Sequence, residues 1–124
     1  MSNSIRFDYF TKESLDDFKQ NGYYYLYDHI TSGQDSFYID VFRAGDIYVY
    51  IKKHFNRIYD TYYEVDINKL QSYVDSIETC DYNEKCIEEL KDFLKVSEDL
   101  YKTRGKYLVV DLDSWIKLFA KNKY

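Results

Sequence analysis

Asp111 and Asp113 stand one residue apart where the apolar run Tyr107-Leu108-Val109-Val110 gives way to a helical pattern. Two carboxylates so placed could hold a hard cation such as Mg²⁺ with one or two more acids, and Asp40, Asp60 and Glu64 are donors that adjoining strands could supply. That constellation would make the chain a small metal-dependent hydrolase or nuclease. The competing reading is a helix N-cap. Val110 and Trp115 flank Asp111 at the spacing of a hydrophobic staple, and acids are favoured at helix N-termini in any case.

The other reactive residue types are thinly spread. His29 and His54 could act as general bases, but neither lies beside a Ser or Cys in a nucleophile motif. Cys80 and Cys86 are six positions apart with no second pair, so a zinc site would need distant recruits, and reduced structural thiols are expected. Gly22, Gly33, Gly45 and Gly105 stand singly at turns and form no phosphate-binding loop. No cofactor and no catalytic residue is therefore expected.

Two binding surfaces compete instead. Lys52, Lys53, His54 and Arg57 make a local basic spot beside Tyr48 and Tyr50, in outline a stacking platform with phosphate clamps for a single-stranded nucleic acid. Against that, the formal net charge is −5 and the pI is near 5.0, whereas phosphate contacts need a cationic surface, so direct nucleic-acid binding is not expected. The second surface is aromatic: Tyr38, Phe42, Tyr48 and Tyr50 with the acids Asp40 and Asp46 have the make-up of a protein interface with a charged rim.

The elements that must position these residues follow from periodicity. Phe37, Ile39 and Val41, then Ile47, Val49 and Ile51, alternate on either side of Ala44-Gly45, which predicts a hairpin over 37–53 with an aliphatic face inward and the tyrosines on the other face. Before it come a short helix over 12–20, capped by Thr11 with Phe10 and Leu15 as a staple, a tyrosine-rich strand over 23–27 and a turn over 31–35. After it come a strand over 57–65 and a helix capped by Asp66. The longest helix follows, opening on Asp81 and Glu84 with an apolar stripe from Cys86 to Tyr101, then a buried strand over 106–111 and a last helix over 112–122. The order αββββααβα predicts an α+β fold, an antiparallel meander sheet of about five strands with helices mainly on one face.

The 124 residues suit a single domain over 1–124 and can bury a core without metals or disulfides. No run of about 18 apolar residues is present, and the first residues lack a secretion signal, so no membrane contact and a cytoplasmic location are expected. A compact acidic chain without a catalytic motif reads as a non-enzymatic binding protein that inhibits or sequesters a basic partner protein, such as a toxin or nuclease. In size and charge, though through no motif, it is like toxin-immunity proteins and the small inhibitors carried by phages and other mobile elements. An open aromatic face also leaves a homodimer open.

Overall fold

Ile5-Arg6-Phe7-Asp8-Tyr9-Phe10 alternates apolar with charged residues, and it forms a strand that the sequence reading passes over, β1 (Ser4–Phe10). The computed structural model describes residues 4–21, 37–40 and 43–113. The strand expected over 23–27, the turn over 31–35, His29, Phe42 and all but the first two residues of the helix over 112–122 lie outside them. In chain order β1 is followed by α1 (Lys12–Asn21), β2 (Phe37–Asp40), α2 (Gly45–His54), β3 (Arg57–Tyr59) and β4 (Tyr62–Glu64). Then come α3 (Ile67–Ser76), α4 (Glu84–Arg104) and β5 (Tyr107–Asp111).

The five strands make one antiparallel sheet in the order β2-β1-β5-β4-β3, so the fold is α+β as expected. The strand order differs from a meander. Among the described residues only β3 and β4 are a hairpin, turning at Asp60 with a φ of 53°. The centre is made by the first and last described strands, β1 and β5, with Phe7 opposite Val110. That position explains the unbroken apolar run of β5, whose Leu108, Val109 and Val110 are buried from both faces.

Strand alternation divides the interior in two. Ile5 and Phe7 of β1, Ile39 of β2, Tyr63 of β4 and Leu108 and Val110 of β5 face a large core closed by Ile47 and Ile51 of α2, Leu70 and Val74 of α3, and Ile87, Leu90 and Leu94 of α4. The opposite face carries Phe10, Tyr62 and Val109, covered by Leu15 and Phe18 of α1. Among the described residues three helices thus lie on one face and one on the other. Each fully buried aliphatic side chain adds about 1.5–3 kcal/mol relative to an exposed one, so the larger core dominates stability.

The caps fall where the sequence places them. Thr11 Oγ1 accepts a hydrogen bond from the Ser14 amide at 3.0 Å, and Asp66 accepts from the Lys69 amide at 3.1 Å. Such a cap stabilises its helix by about 1 kcal/mol. Gly105, with φ of 60°, ends α4 in the left-handed conformation that glycine adopts without strain. The start of α4 differs from the expected Asp81–Glu84 box: Asn83 precedes the helix and its side chain accepts from the Cys80 amide at 2.9 Å.

The largest correction concerns the hairpin over 37–53. Its first half is β2, but its second half is the helix α2. Ile47 and Ile51 are four residues apart, so they share a face under a period of two and under a helical period alike. Val49 separates the two readings, and it is 61% exposed while Ile47 and Ile51 are fully buried. Asp46 in the first turn and Lys52, Lys53 and His54 in the last complement the helix dipole. Lys52, Lys53 and His54 of the basic spot are therefore the C-terminal turn of a helix, while Arg57 opens β3.

Candidate functional site

Asp111 sits at the end of the central strand beneath α1's side of the sheet, where side chains two apart on β1 point the same way. Arg6 and Asp8 meet it there. The Arg6 Nε donates to Asp8 Oδ2 at 2.8 Å, and Arg6 Nη2 lies 3.6 Å from Asp111 Oδ2, an ion pair without a hydrogen bond. The side chains are 1%, 4% and 0% exposed respectively. Asp111 Oδ1 accepts from the Thr61 hydroxyl at 2.7 Å and from the Asp113 amide at 2.9 Å.

The electrostatics follow from that burial. Desolvation pushes the Asp111 carboxyl above the usual aspartate range, against the opposing pull of Thr61, the Asp113 amide and Arg6. It also pushes the Tyr62 hydroxyl far up, and the neighbouring Asp111 adds to the effect. Burial disfavours the Arg6 charge, but Asp8, Tyr62 and Asp111 outweigh it and the guanidinium holds its proton more tightly than usual.

This arrangement bears on the metal reading of Asp111 and Asp113. Asp111 Oδ1 serves two donors and Oδ2 faces a guanidinium, while the Asp113 amide closes a turn onto Asp111, as expected of an aspartate at a chain reversal. Among the described residues no group of three or more His, Cys, Asp or Glu side chains is placed to hold a metal ion. Asp111 Oδ1 thus ties the Thr61 hydroxyl and the Asp113 backbone to the end of β5.

The six residues expected at a partner surface are distributed differently. Tyr38 and Asp40 are exposed on β2, and Asp46 is exposed in the first turn of α2. Tyr48 and Tyr50 are half-buried on α2 rather than on a sheet. Tyr50 stacks on Tyr73 of α3 with ring centroids 3.9 Å apart, and Lys52 Nζ lies 5.9 Å from the Tyr48 ring. Tyr48 and Tyr50 therefore do not share a sheet face with Tyr38, and Tyr50 is packed between α2 and α3. Asp40 and Asp46 remain outward, near the junction of β2, α2 and α4: Asp40, Glu89 and Arg43 all act on the Cys86 thiol, which burial pushes up. Cys80 and Cys86 are both free thiols.

A surface that the sequence reading did not single out lies beside that junction. Between 75 and 92 the chain has seven acids, Asp75, Glu78, Asp81, Glu84, Glu88, Glu89 and Asp92, against two lysines, Lys85 and Lys91. Every one of the seven is exposed. The difference of −5 equals the formal net charge of the whole chain, so the remainder balances to neutral. The signal was open to a count of charge along the chain, but alternating lysines further along α4 make its outer face look like an ordinary solvated one.

A cavity of about 550 Å³ lies between the end of α2, the start of α3 and the last turns of α4. Of its charged lining residues, Lys102 contacts Glu98 at 2.6 Å, Glu64 pairs with Lys19 of α1 at 3.0 Å, and Asp66 caps α3. A smaller cleft of about 290 Å³ opens between the start of α2 and the α3–α4 connection. No helix among the described residues is long and apolar enough to cross a membrane. No protein-family model matches the chain, and comparison with curated proteins and with solved structures finds no match. The described residues form an α+β fold, and the excess of acids in the sequence falls in the exposed stretch 75–92.

Proposed function

We propose that this is a non-enzymatic binding protein that inhibits or sequesters a basic partner protein, and that the partner docks on the acidic α3–α4 corner. The observation that carries the reading is the exposure of all seven acids between 75 and 92. A surface of one sign accelerates encounter with an opposite partner and rejects like-charged ones, which is what an inhibitor of a basic toxin or nuclease requires. The exposed Tyr38 and Tyr82, 50% and 49% accessible, supply aromatic contact area on the same protein. Asp111 Oδ1 already accepts two hydrogen bonds and Oδ2 faces the Arg6 guanidinium, which weighs against the metal-dependent hydrolase reading.

The test is affinity capture from cells of the source organism, followed by measurement of stoichiometry and salt dependence. The expected result is a 1:1 complex with a protein of high pI that weakens as salt is raised. Reversing three acids (Glu84→Lys, Glu88→Lys and Glu89→Lys) is expected to weaken it by about 100-fold. The fold should be retained, since exposed substitutions change stability by about 0.5 kcal/mol or less. Absence of any partner at micromolar concentration, or full retention by the triple variant, would overturn the proposal.

A further inference from the structure

Beneath α1 one guanidinium faces two carboxylates, and it does not serve them equally. Arg6 Nε donates to Asp8 Oδ2 at 2.8 Å, whereas Nη2 stops 3.6 Å from Asp111 Oδ2 and makes no hydrogen bond to it. Asp111 Oδ2 is buried without a hydrogen-bond partner, and so are both Arg6 Nη atoms. The two hydrogen bonds that Asp111 receives, from the Thr61 hydroxyl and the Asp113 amide, both end on Oδ1. An ionised carboxylate spreads its charge over both oxygens, so half of that charge lies in the interior with a cation at 3.6 Å and no donor to offset it.

The other groups packed around Asp111 leave that imbalance in place. Tyr62 of β4 acts on both Arg6 and Asp111 through a hydroxyl that burial keeps protonated. The helix α1 covers this face with Leu15 and Phe18, and its Lys19 is paired with Glu64 of β4 at 3.0 Å. Asp113, just past the strand, brings a second carboxyl whose Oδ1 is buried. Removal from water raises the proton affinity of Asp111, against the pull of Thr61, the Asp113 amide and Arg6, and it raises that of Asp113 as well.

We infer that Asp111 is an internal proton-binding site that makes the domain more stable in mild acid than at neutral pH, the proton occupying the oxygen that the guanidinium leaves without a hydrogen bond. A neutral Asp111 keeps Oδ1 as the acceptor for Thr61 and Asp113, and it leaves the Arg6 guanidinium to Asp8. In the unfolded chain an aspartate gives up its proton near pH 3.9, as a rough reference. In the fold Asp111 holds its proton to a higher pH, so the stabilisation is complete below about pH 3.9 and is lost as the pH rises through the folded value. One linked proton changes the folded-to-unfolded ratio by at most about tenfold per pH unit. The response is the reverse of the acid loss shown by a well-paired carboxylate, and it is placed at the end of the central strand β5.

Two measurements test the site. Carbon-13 shifts of the side-chain carboxyls of the unaltered protein, assigned through the backbone and followed from about pH 4 to 8, are expected to show Asp111 titrating at a higher pH than the exposed aspartates. Urea denaturation over the same range is expected to show the unaltered protein gaining on Asp111→Asn as the pH falls, by up to about tenfold per pH unit in the folded-to-unfolded ratio. Asp113→Asn keeps the backbone amide that bonds Asp111 and is expected to retain the response. An Asp111 carboxyl that titrates with the exposed aspartates or below them would overturn the proposal, whatever the stability of the variants. So would a ratio between the unaltered protein and Asp111→Asn that stays constant or falls in acid, or a response that disappears in Asp113→Asn instead.

Discussion

Arg6→Met is expected to lower the free energy of unfolding by about 3–5 kcal/mol, the cost of breaking a buried ion pair by removing one partner. The substitution keeps the aliphatic stem and removes the charge that faces Asp8 at 2.8 Å and Asp111 at 3.6 Å. Both carboxylates then stand desolvated with no cation between them. A domain has only about 5–15 kcal/mol of stability in total, so the loss is a large share of it. The contrast is with Lys12 and Asp16, also 3.6 Å apart but 71% and 56% exposed, where water screens the attraction. Lys12→Met is expected to change stability by less than about 1 kcal/mol. Urea denaturation followed by circular dichroism checks both, and adding Asp111→Asn to Arg6→Met should recover part of the loss, because it removes one of the two stranded charges while keeping the acceptor for Thr61. An Arg6→Met loss no larger than that of Lys12→Met would contradict the buried pair.

Ile47→Asp is expected to leave the protein unfolded or nearly so at neutral pH, while Val49→Asp is expected to change stability by about 0.5 kcal/mol or less. The two positions are two residues apart and chemically alike. On a strand they would share a face and respond alike; on α2 one is fully buried against the sheet and the other is 61% exposed. Burying an aspartate among Ile51, Leu70 and Ile87 without a cation costs several kilocalories per mole. Thermal unfolding of the pair reads the secondary structure of this segment directly. Equal destabilisation by the two would mean a strand.

The same segment shows what a sequence can and cannot reveal. Where a local rule has one solution, it was legible: Thr11 and Asp66 cap helices, Gly105 ends one, and the uninterrupted apolar run of β5 marks the centre of the sheet. Where two periods share their strongest positions, as at Ile47 and Ile51, β-branched residues tilt the reading toward a strand and tertiary packing tilts it back. The charges could have decided it, since Asp46 and the Lys52-Lys53-His54 turn are arranged for a helix dipole. Strand β1 shows a second kind of gap. Its alternation is clear, but Arg6 and Asp8 occupy the positions that a half-exposed strand gives to water, and only the pairing of β1 with β5 turns them into an interior ion cluster around Asp111. Contacts between chain ends carry no local signature, so neither the strand order nor the role of Asp111 could be derived from spacing. Of the residues expected at a partner surface, Asp40 and Asp46 are exposed, Tyr48 is half-buried on α2, and Tyr50 stacks on Tyr73 of α3.

The claim that rests most on these observations is electrostatic docking at 75–92. Its most direct measurement is the association rate constant with the captured partner as a function of ionic strength, for the unaltered protein and for the variant with Glu84, Glu88 and Glu89 each replaced by lysine. Steered association should fall steeply with salt for the unaltered protein, from near 10⁸ M⁻¹s⁻¹ at low salt toward roughly 10⁵–10⁶ M⁻¹s⁻¹, and the variant should be slow at every salt with its slope flattened. Equal rates and equal slopes for the two proteins would contradict the acidic corner as the place where the partner arrives.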